Sequence, residues 1–270
     1  MLVTGASSGL GAAVARRLAA AGHQVHGAAR WRTTPAEEAP PGVAAVRMDV
    51  TDDEQVRAGV ARIVDSTGRL DVVVNAAGYG VAGALEDTSP AEAAAQLDVN
   101  LLGVHRVTRA VLPHLRASQG HLVVVSSIAG LIAVPFQGLY SASKYALEGY
   151  TEALRLEVAP FGVRVSLVEP GDFATGFTAA RQVAADAGPG SAYRDRFVAA
   201  LATMASDEEG GSDAGAVAAA VLRIVQSDRP RLRYTVGPGY QRVAAQLRRV
   251  LPAAVLARSV SGHYAGRPGR

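Results

Sequence analysis

The chain contains no cysteine. That excludes disulfides, cysteine-bound metals and thiol catalysis together, and it fits a reducing cytoplasm. Lysine is almost missing too: of 27 basic residues only Lys144 is a lysine, and the other 26 are arginine. The six histidines, at 23, 26, 105, 114, 121 and 263, show no His-rich or H-E-x-x-H spacing, so no metal is expected. No apolar run is long enough to span a bilayer, so no transmembrane segment is expected. The opening "MLVTGASSGLG" has no basic stretch followed by an apolar one, so no signal peptide is expected and the location is read as cytoplasmic. No internal repeat is visible.

What is present is alternation. Short β-branched runs at 1–4, 24–29, 43–48, 70–75, 121–126, 163–168 and 232–237 read as strands. Helical patterns lie between them near 9–21, 52–66, 90–117, 138–159 and 213–227. Several strands are apolar throughout, as strands covered on both faces are. The pattern predicts an α/β fold: a single domain over 1–270 with a doubly wound, Rossmann-type parallel sheet of about seven strands and helices on both faces. In such a sheet the ligand crevice lies at the carboxyl ends of the strands.

The stretch "VTGASSGLG" joins the first strand to the first helix, with glycines at 5, 9 and 11. Glycines in this place allow a tight turn and close approach of backbone to a pyrophosphate at a helix N-terminus. Only Met1 to Val3 precede the motif, so the true start could lie upstream. The second strand ends "GAARWR", with Ala29 where an acid would hold a ribose 2′-hydroxyl, followed by Arg30 and Arg32; no carboxylate comes before Glu37. An arginine there accommodates a 2′-phosphate, so NADP(H) is favoured over NAD(H), with Arg30 as first choice for the clamp.

These residues and five further motifs resemble the short-chain dehydrogenase/reductase family, single-domain type. In order they are "TGASSGLG" at 4–11, "NAAG" at 75–78, "DVNLLG" around Asn100, "SS" at 126–127, "YSASK" at 140–144 and "EPG" at 169–171. The style is that of the hydroxysteroid- and retinol-dehydrogenase-like branch. The resemblance implies Tyr140 as proton donor, Lys144 as its activator, Ser127 rather than Ser126 as the serine, and Asn100 as anchor of a relay water. It implies cofactor contacts at Gly5, Ser7, Ser8, Gly9, Leu10, Gly11, Asp49 and Val50, at Asn75, Ala76, Ala77 and Gly78, and at Pro170, Gly171 and Thr175. Tyr145 and Tyr150 are read as packing or surface tyrosines.

The chemistry stands beside the resemblance. Tyr140 and Lys144 are four apart on a helix and leave it from one face. A carbonyl reduced by hydride becomes an alkoxide that needs a proton. A nearby ammonium is expected to lower the phenol's pKa from about 10, and an oxidised nicotinamide adds a second positive charge. Ser127 can donate a hydrogen bond to the carbonyl oxygen. An arginine could supply the charge but not give up a proton, which explains one lysine kept among 26 arginines.

The expected reaction is hydride transfer between NADP(H) and a hydrophobic ketone, aldehyde or secondary alcohol, since 128–140 and the Phe173/Phe177 region are apolar. The alternative is a non-catalytic NADP(H)-binding sensor on the same fold; the intact Ser/Tyr/Lys/Asn set argues against it. Residues 172–212, broken by Gly and Pro around one helix near 191–204, are expected to form a lid. Residues 239–270 read as a basic C-terminal tail: from Arg229 onward there are nine arginines and no acid, against 18 cations and 24 acids before it. No nucleic-acid partner is expected. Apolar residues outside the core face of helices near 100–117 and 140–158, which pair between subunits in relatives, imply a homodimer or homotetramer.

Overall fold

The computed structural model describes residues 1–31, 39–174, 181–248 and 251–265. Seven strands form one parallel sheet: β1 (Leu2–Thr4), β2 (Val25–Ala29), β3 (Val43–Arg47), β4 (Val72–Asn75), β5 (His121–Val125), β6 (Arg164–Pro170) and β7 (Arg233–Val236). Their order across the sheet is β7-β6-β5-β4-β1-β2-β3, with every neighbouring pair parallel. Strand order reverses between β1 and β4, the switch point where such sheets open a crevice. All seven expected strands are present, within two residues at either end.

The continuous apolar strands serve two cores. In β5, Leu122 and Val124 face one layer and Val123 and Val125 the other. The first layer is made by α2 (Asp53–Thr67), α4 (Gly103–Ser118) and α5 (Gly138–Val158), with Val60, Ile63, Val111, Leu115 and Leu147 fully or nearly fully buried. The second is made by α1 (Gly9–Ala20) and α7 (Gly215–Val225), with Val14, Leu18, Val221 and Ile224. Truncating one such leucine to alanine costs about 2–5 kcal/mol.

The helix expected over 90–117 is divided. α3 (Pro90–Leu97) opens with a capping box between Ser89 and Glu92, then Asp98–Leu102 forms a π-helical turn before α4. Single π turns often occur at functional sites, and this one holds Asn100 completely buried.

The segment 172–212 carries α6 (Arg194–Glu209) and is tied down at both ends. Phe173–Ala174 pairs with Ser212–Asp213, and Gln182–Val183 pairs with Val81–Ala82. A small apolar cluster of Val81, Ala184, Ala187 and Phe197 packs beneath it. The stretch expected as a basic tail forms two helices, α8 (Gly239–Leu247) and α9 (Ala253–Tyr264), with α9 packed on α6. Among the described residues no helix is long and apolar enough to cross a membrane.

Candidate active site

One cleft of about 890 Å³ lies over the carboxyl ends of the strands. At its inner end is the glycine turn. Gly5 has φ +68°, and a Cβ there would sit 2.8 Å from the Ala77 Cα; a Cβ on Gly11 would fall 2.2 Å from the Gly5 carbonyl oxygen. Thr4 locks this turn to the next strand, its hydroxyl oxygen accepting from the Ala76 and Ala77 amides at 3.1 and 3.2 Å. α1 then starts at Gly9 with no side-chain cap from Ser8 and no acid in its first turn. Uncapped amides at a helix N-terminus favour an anion, so the turn fits the pyrophosphate of a dinucleotide.

Most of the expected residues meet here. Gly5, Ser7, Ser8, Gly9, Leu10, Gly11, Arg30, Asp49, Val50, Ala76, Ala77, Gly78, Ser127, Tyr140, Lys144, Pro170 and Gly171 all line the cleft. Arg30 is exposed at the end of β2, and the preceding wall offers only Ala28 and Ala29. Asp49 is held by Thr51, whose amide and hydroxyl donate to one carboxylate oxygen at 2.9 and 2.8 Å. Asn75 and Asn100 do not reach the cleft wall; they stand behind it. Asn75 is buried with its Oδ1 unpartnered. Asn100 accepts from the Tyr79 amide at 3.0 Å and donates to the Tyr79 carbonyl at 2.9 Å and to Ser143 Oγ at 3.1 Å. Thr175, Phe177 and Arg32 lie outside the described residues.

Ser127, Tyr140 and Lys144 converge. Ser127 starts the short turn Ile128–Gly130 and hydrogen-bonds to the Tyr140 phenol. The Lys144 ammonium donates to the Val125 carbonyl at 3.0 Å and lies 5.6 Å from the centre of the Tyr140 ring. Gly78 leaves room for the Asn100 side chain, since a Cβ at that position would come 3.2 Å from Asn100 Oδ1. The neighbouring serine is engaged elsewhere: Ser126 Oγ donates to Glu148 at 2.6 Å, which supports the choice of Ser127. Tyr145 bonds the Leu131 carbonyl and Tyr150 packs edge-on against His105, so both are packing tyrosines.

One expectation is corrected. Burial pushes the Tyr140 phenol up to about 12, outweighing the hydrogen bond from Ser127 that pulls it down. Burial also brings Lys144 down to about 8, opposed by the Glu148 carboxylate. Desolvation disfavours either charge, and for the phenol it is the largest influence. At neutral pH the pair is therefore a neutral phenol beside an ammonium, the protonation state of a proton donor.

Sequence reasoning missed two groups. Behind Lys144, Arg233 holds Glu148, Glu152 and Glu169 at 3.1, 2.6 and 3.2 Å; burial lifts Glu148 to about 7. The available signal was Glu148 itself, four residues after Lys144 on one helix face. At the outer end, Asp172, Asp207 and Glu208 line the cleft with Gln241, His263 and Tyr264. His263 reaches Asp207 at 2.6 Å, Arg181 pairs with Glu208, and Gln241 with Asp172. No spacing in the sequence joins these residues; the fold of α6, α8 and α9 does.

The comparisons agree with this geometry. The family model for short chain dehydrogenases matches residues 1–185. A 3-ketodihydrosphingosine reductase of Bacteroides thetaiotaomicron is 42% identical over 256 residues, covering 93% of each chain. A short-chain dehydrogenase/reductase from Burkholderia phymatum solved with NAD superposes with a TM-score of 0.78 at 26% identity, covering 100% of this chain and 95% of that one. A short-chain dehydrogenase from Burkholderia cenocepacia solved with NADP gives 0.74 at 27% identity and 95% of each chain. With the glycine turn, the Ser/Tyr/Lys convergence and the sheet order in place, this chain belongs to the short-chain dehydrogenase/reductase family, oxidoreductases acting on CH–OH and C=O groups.

Proposed function

We propose that the protein is an NADP(H)-dependent reductase of an apolar ketone, working equally in reverse on the secondary alcohol. The observation that carries this is the convergence of Ser127, Tyr140 and Lys144 on one cleft with the glycine turn. The dinucleotide would lie along Gly5–Gly11, Arg30, Asp49, Val50 and Ala76–Gly78, with Asn75 behind them, and when bound it supplies the hydride. Thr175 is assigned to the same cofactor contacts from the family motif alone. The chain's own residues do the rest. Ser127 donates a hydrogen bond to the carbonyl oxygen, where negative charge grows. Tyr140 gives its phenolic proton to that oxygen. Lys144 keeps a positive charge beside the phenol as it loses the proton, and Asn100 holds the Tyr79 backbone and the Ser143 hydroxyl behind the pair. Proton transfer of this kind contributes about 10²–10⁴-fold.

NADP(H) over NAD(H) rests on the second strand's end. No carboxylate stands at Ala29 to bind a 2′-hydroxyl, and Arg30 stands where a 2′-phosphate would come. Ile128, Ile132, Val134, Phe173, Met204, Leu256 and Val260 give the substrate end an apolar wall, while Asp172, Asp207 and Glu208 make one part of it polar. An apolar chain bearing a polar head suits both, and the similarity to a 3-ketodihydrosphingosine reductase supports such a ketone. The lid assigned to 172–212 would cover this end through its described part, which lines the cleft with Phe173, Met204 and Glu208; α8 and α9 complete it. Leu102 and Leu156, exposed near or on the paired-helix faces, support association into a dimer or tetramer.

The test is initial-rate assays with NADPH and NADH in parallel, over 2- and 3-ketones of increasing chain length. Rates with NADPH should exceed those with NADH and rise with chain length. No turnover of any ketone or alcohol, with NADPH bound, would favour the sensor reading instead.

A further inference from the structure

We propose that the outer face of α8 and the start of α9 form a docking surface for a membrane rich in anionic lipid, set at the mouth of the active-site cleft. Three observations carry it, and none depends on the reaction proposed above.

The first is an apolar stripe that no described residue covers. Tyr240, Val243, Leu247, Leu251 and Val255 are exposed, the first by 62% and Val243 by 54%. Tyr240, Val243 and Leu247 recur three to four residues apart along α8, the spacing of one helical face, and Leu251 and Val255 stand exposed just before and within the first turn of α9. Exposed patches of this kind mark interaction sites. The second is charge. Arg242, Arg248 and Arg258 stand exposed among them, and the sequence from Arg229 to Arg270 holds nine arginines and no acid. Earlier residues carry 18 cations against 24 acids, so the positive charge is gathered at this end. The acids nearest α9 are turned to the cleft and engaged, Asp207 with His263 and Glu208 with Arg181. An apolar stripe among arginines matches an anionic bilayer surface, where each cation adds roughly fivefold to partitioning.

The third is place. The same helices wall the cleft with their other side, through Gln241 and Ala244 on α8 and Leu256, Val260 and Tyr264 on α9. Tyr240 belongs to both surfaces. Arg248 stacks 5.1 Å from the Tyr145 ring and so ties the end of α8 to α5. A surface held this way would set the cleft mouth against the headgroups.

The experiment is vesicle flotation of the full chain, without cofactor or substrate, on phosphatidylcholine alone or mixed with phosphatidylglycerol, at low and high salt. The wild type should float with the phosphatidylglycerol vesicles, much less with phosphatidylcholine, and be released by salt. Val243→Glu with Leu247→Glu, both exposed and outside the cleft wall, should cut flotation at least tenfold with an unchanged melting temperature. Arg242→Glu with Arg258→Glu should do the same through charge. A wild type that stays with the soluble fraction, floats equally on neutral vesicles, or is matched by both variants overturns the proposal. So does a halved mass of the Val243/Leu247 variant in light scattering, which would make the face a subunit contact. Because no turnover is read, failure here leaves the proposed reaction untouched, and the reverse.

Discussion

The two ends of the cleft are built in different ways. The cofactor end is made of short stretches that do chemistry where they stand: the glycine turn, "NAAG", "SSIAG" and "YSASK". Each stretch places backbone or a reactive side chain within a turn or two of itself. The substrate end is made of Phe173, Met204, Asp207, Gln241, Leu256 and His263, drawn from four segments spread over ninety residues. A reaction shared by many substrates constrains the first end atom by atom. Shape alone constrains the second, and many sequences make a given shape.

This difference can be broken at the cofactor end first. Tyr140→Phe removes the proposed proton donor and should lower turnover by about 10²–10⁴-fold with cofactor binding retained, by assay and titration of the same sample. Lys144→Arg should keep the fold, by circular dichroism, and lose most turnover. A guanidinium is larger and planar, a different shape from the compact ammonium that is buried 3.0 Å from the Val125 carbonyl. Activity near wild type in either variant would count heavily against the assignment.

Gly5→Ala comes next. Its Cβ would press on the Ala77 backbone at 2.8 Å in a left-handed conformation, so a lowered melting temperature, by about 1–3 kcal/mol of stability, is expected together with weakened dinucleotide binding. Arg30→Ala should be selective: losing a charged contact to a 2′-phosphate costs about 1.5–3 kcal/mol, raising KM for NADPH roughly ten- to hundredfold and leaving that for NADH alone. Equal effects on both would place the clamp elsewhere.

The smallest effect sharpens the picture behind the lysine. Glu148 has its folded pKa raised by burial to about 7, above the ordinary carboxylate value of 4.5. Between those values the unfolded chain has released this proton and the folded one keeps it, so this group makes stability fall as pH rises from 4.5 to 7. Glu148→Gln should remove that fall, seen as a melting temperature that declines less over the same window. The same change removes a charge that raises the Lys144 pKa. The limb of the rate profile that belongs to Lys144 should therefore move to lower pH.

Legibility followed the same division. The seven strands could be read because a parallel sheet covered on both faces turns Val72–Asn75 and His121–Val125 into unbroken apolar runs. Spacing to Tyr140 in the family motif favours Ser127 over Ser126, and in the structure Ser126 is engaged with Glu148 at 2.6 Å while Ser127 bonds the Tyr140 phenol. The π turn at Asp98–Leu102 was hidden, because no Pro between Pro90 and Pro113 marks a break in the helical pattern that runs through it. The two C-terminal helices were hidden behind their charge: nine arginines suggested a solvated tail, and only folding shows Leu256, Val260 and Tyr264 on one side of α9 against the cleft. The direction of the Tyr140 shift depended on burial, which no motif states.

The central claim is that Tyr140 and Lys144 act together on a carbonyl beside bound NADP(H). The most direct measurement is single-turnover reduction of an accepted ketone by NADPH, comparing wild type with Tyr140→Phe at matched cofactor saturation. The account expects the variant to bind NADPH within a few-fold of wild type and to reduce the ketone at least a hundredfold more slowly, in line with the loss of a general acid. Equal single-turnover rates would contradict it.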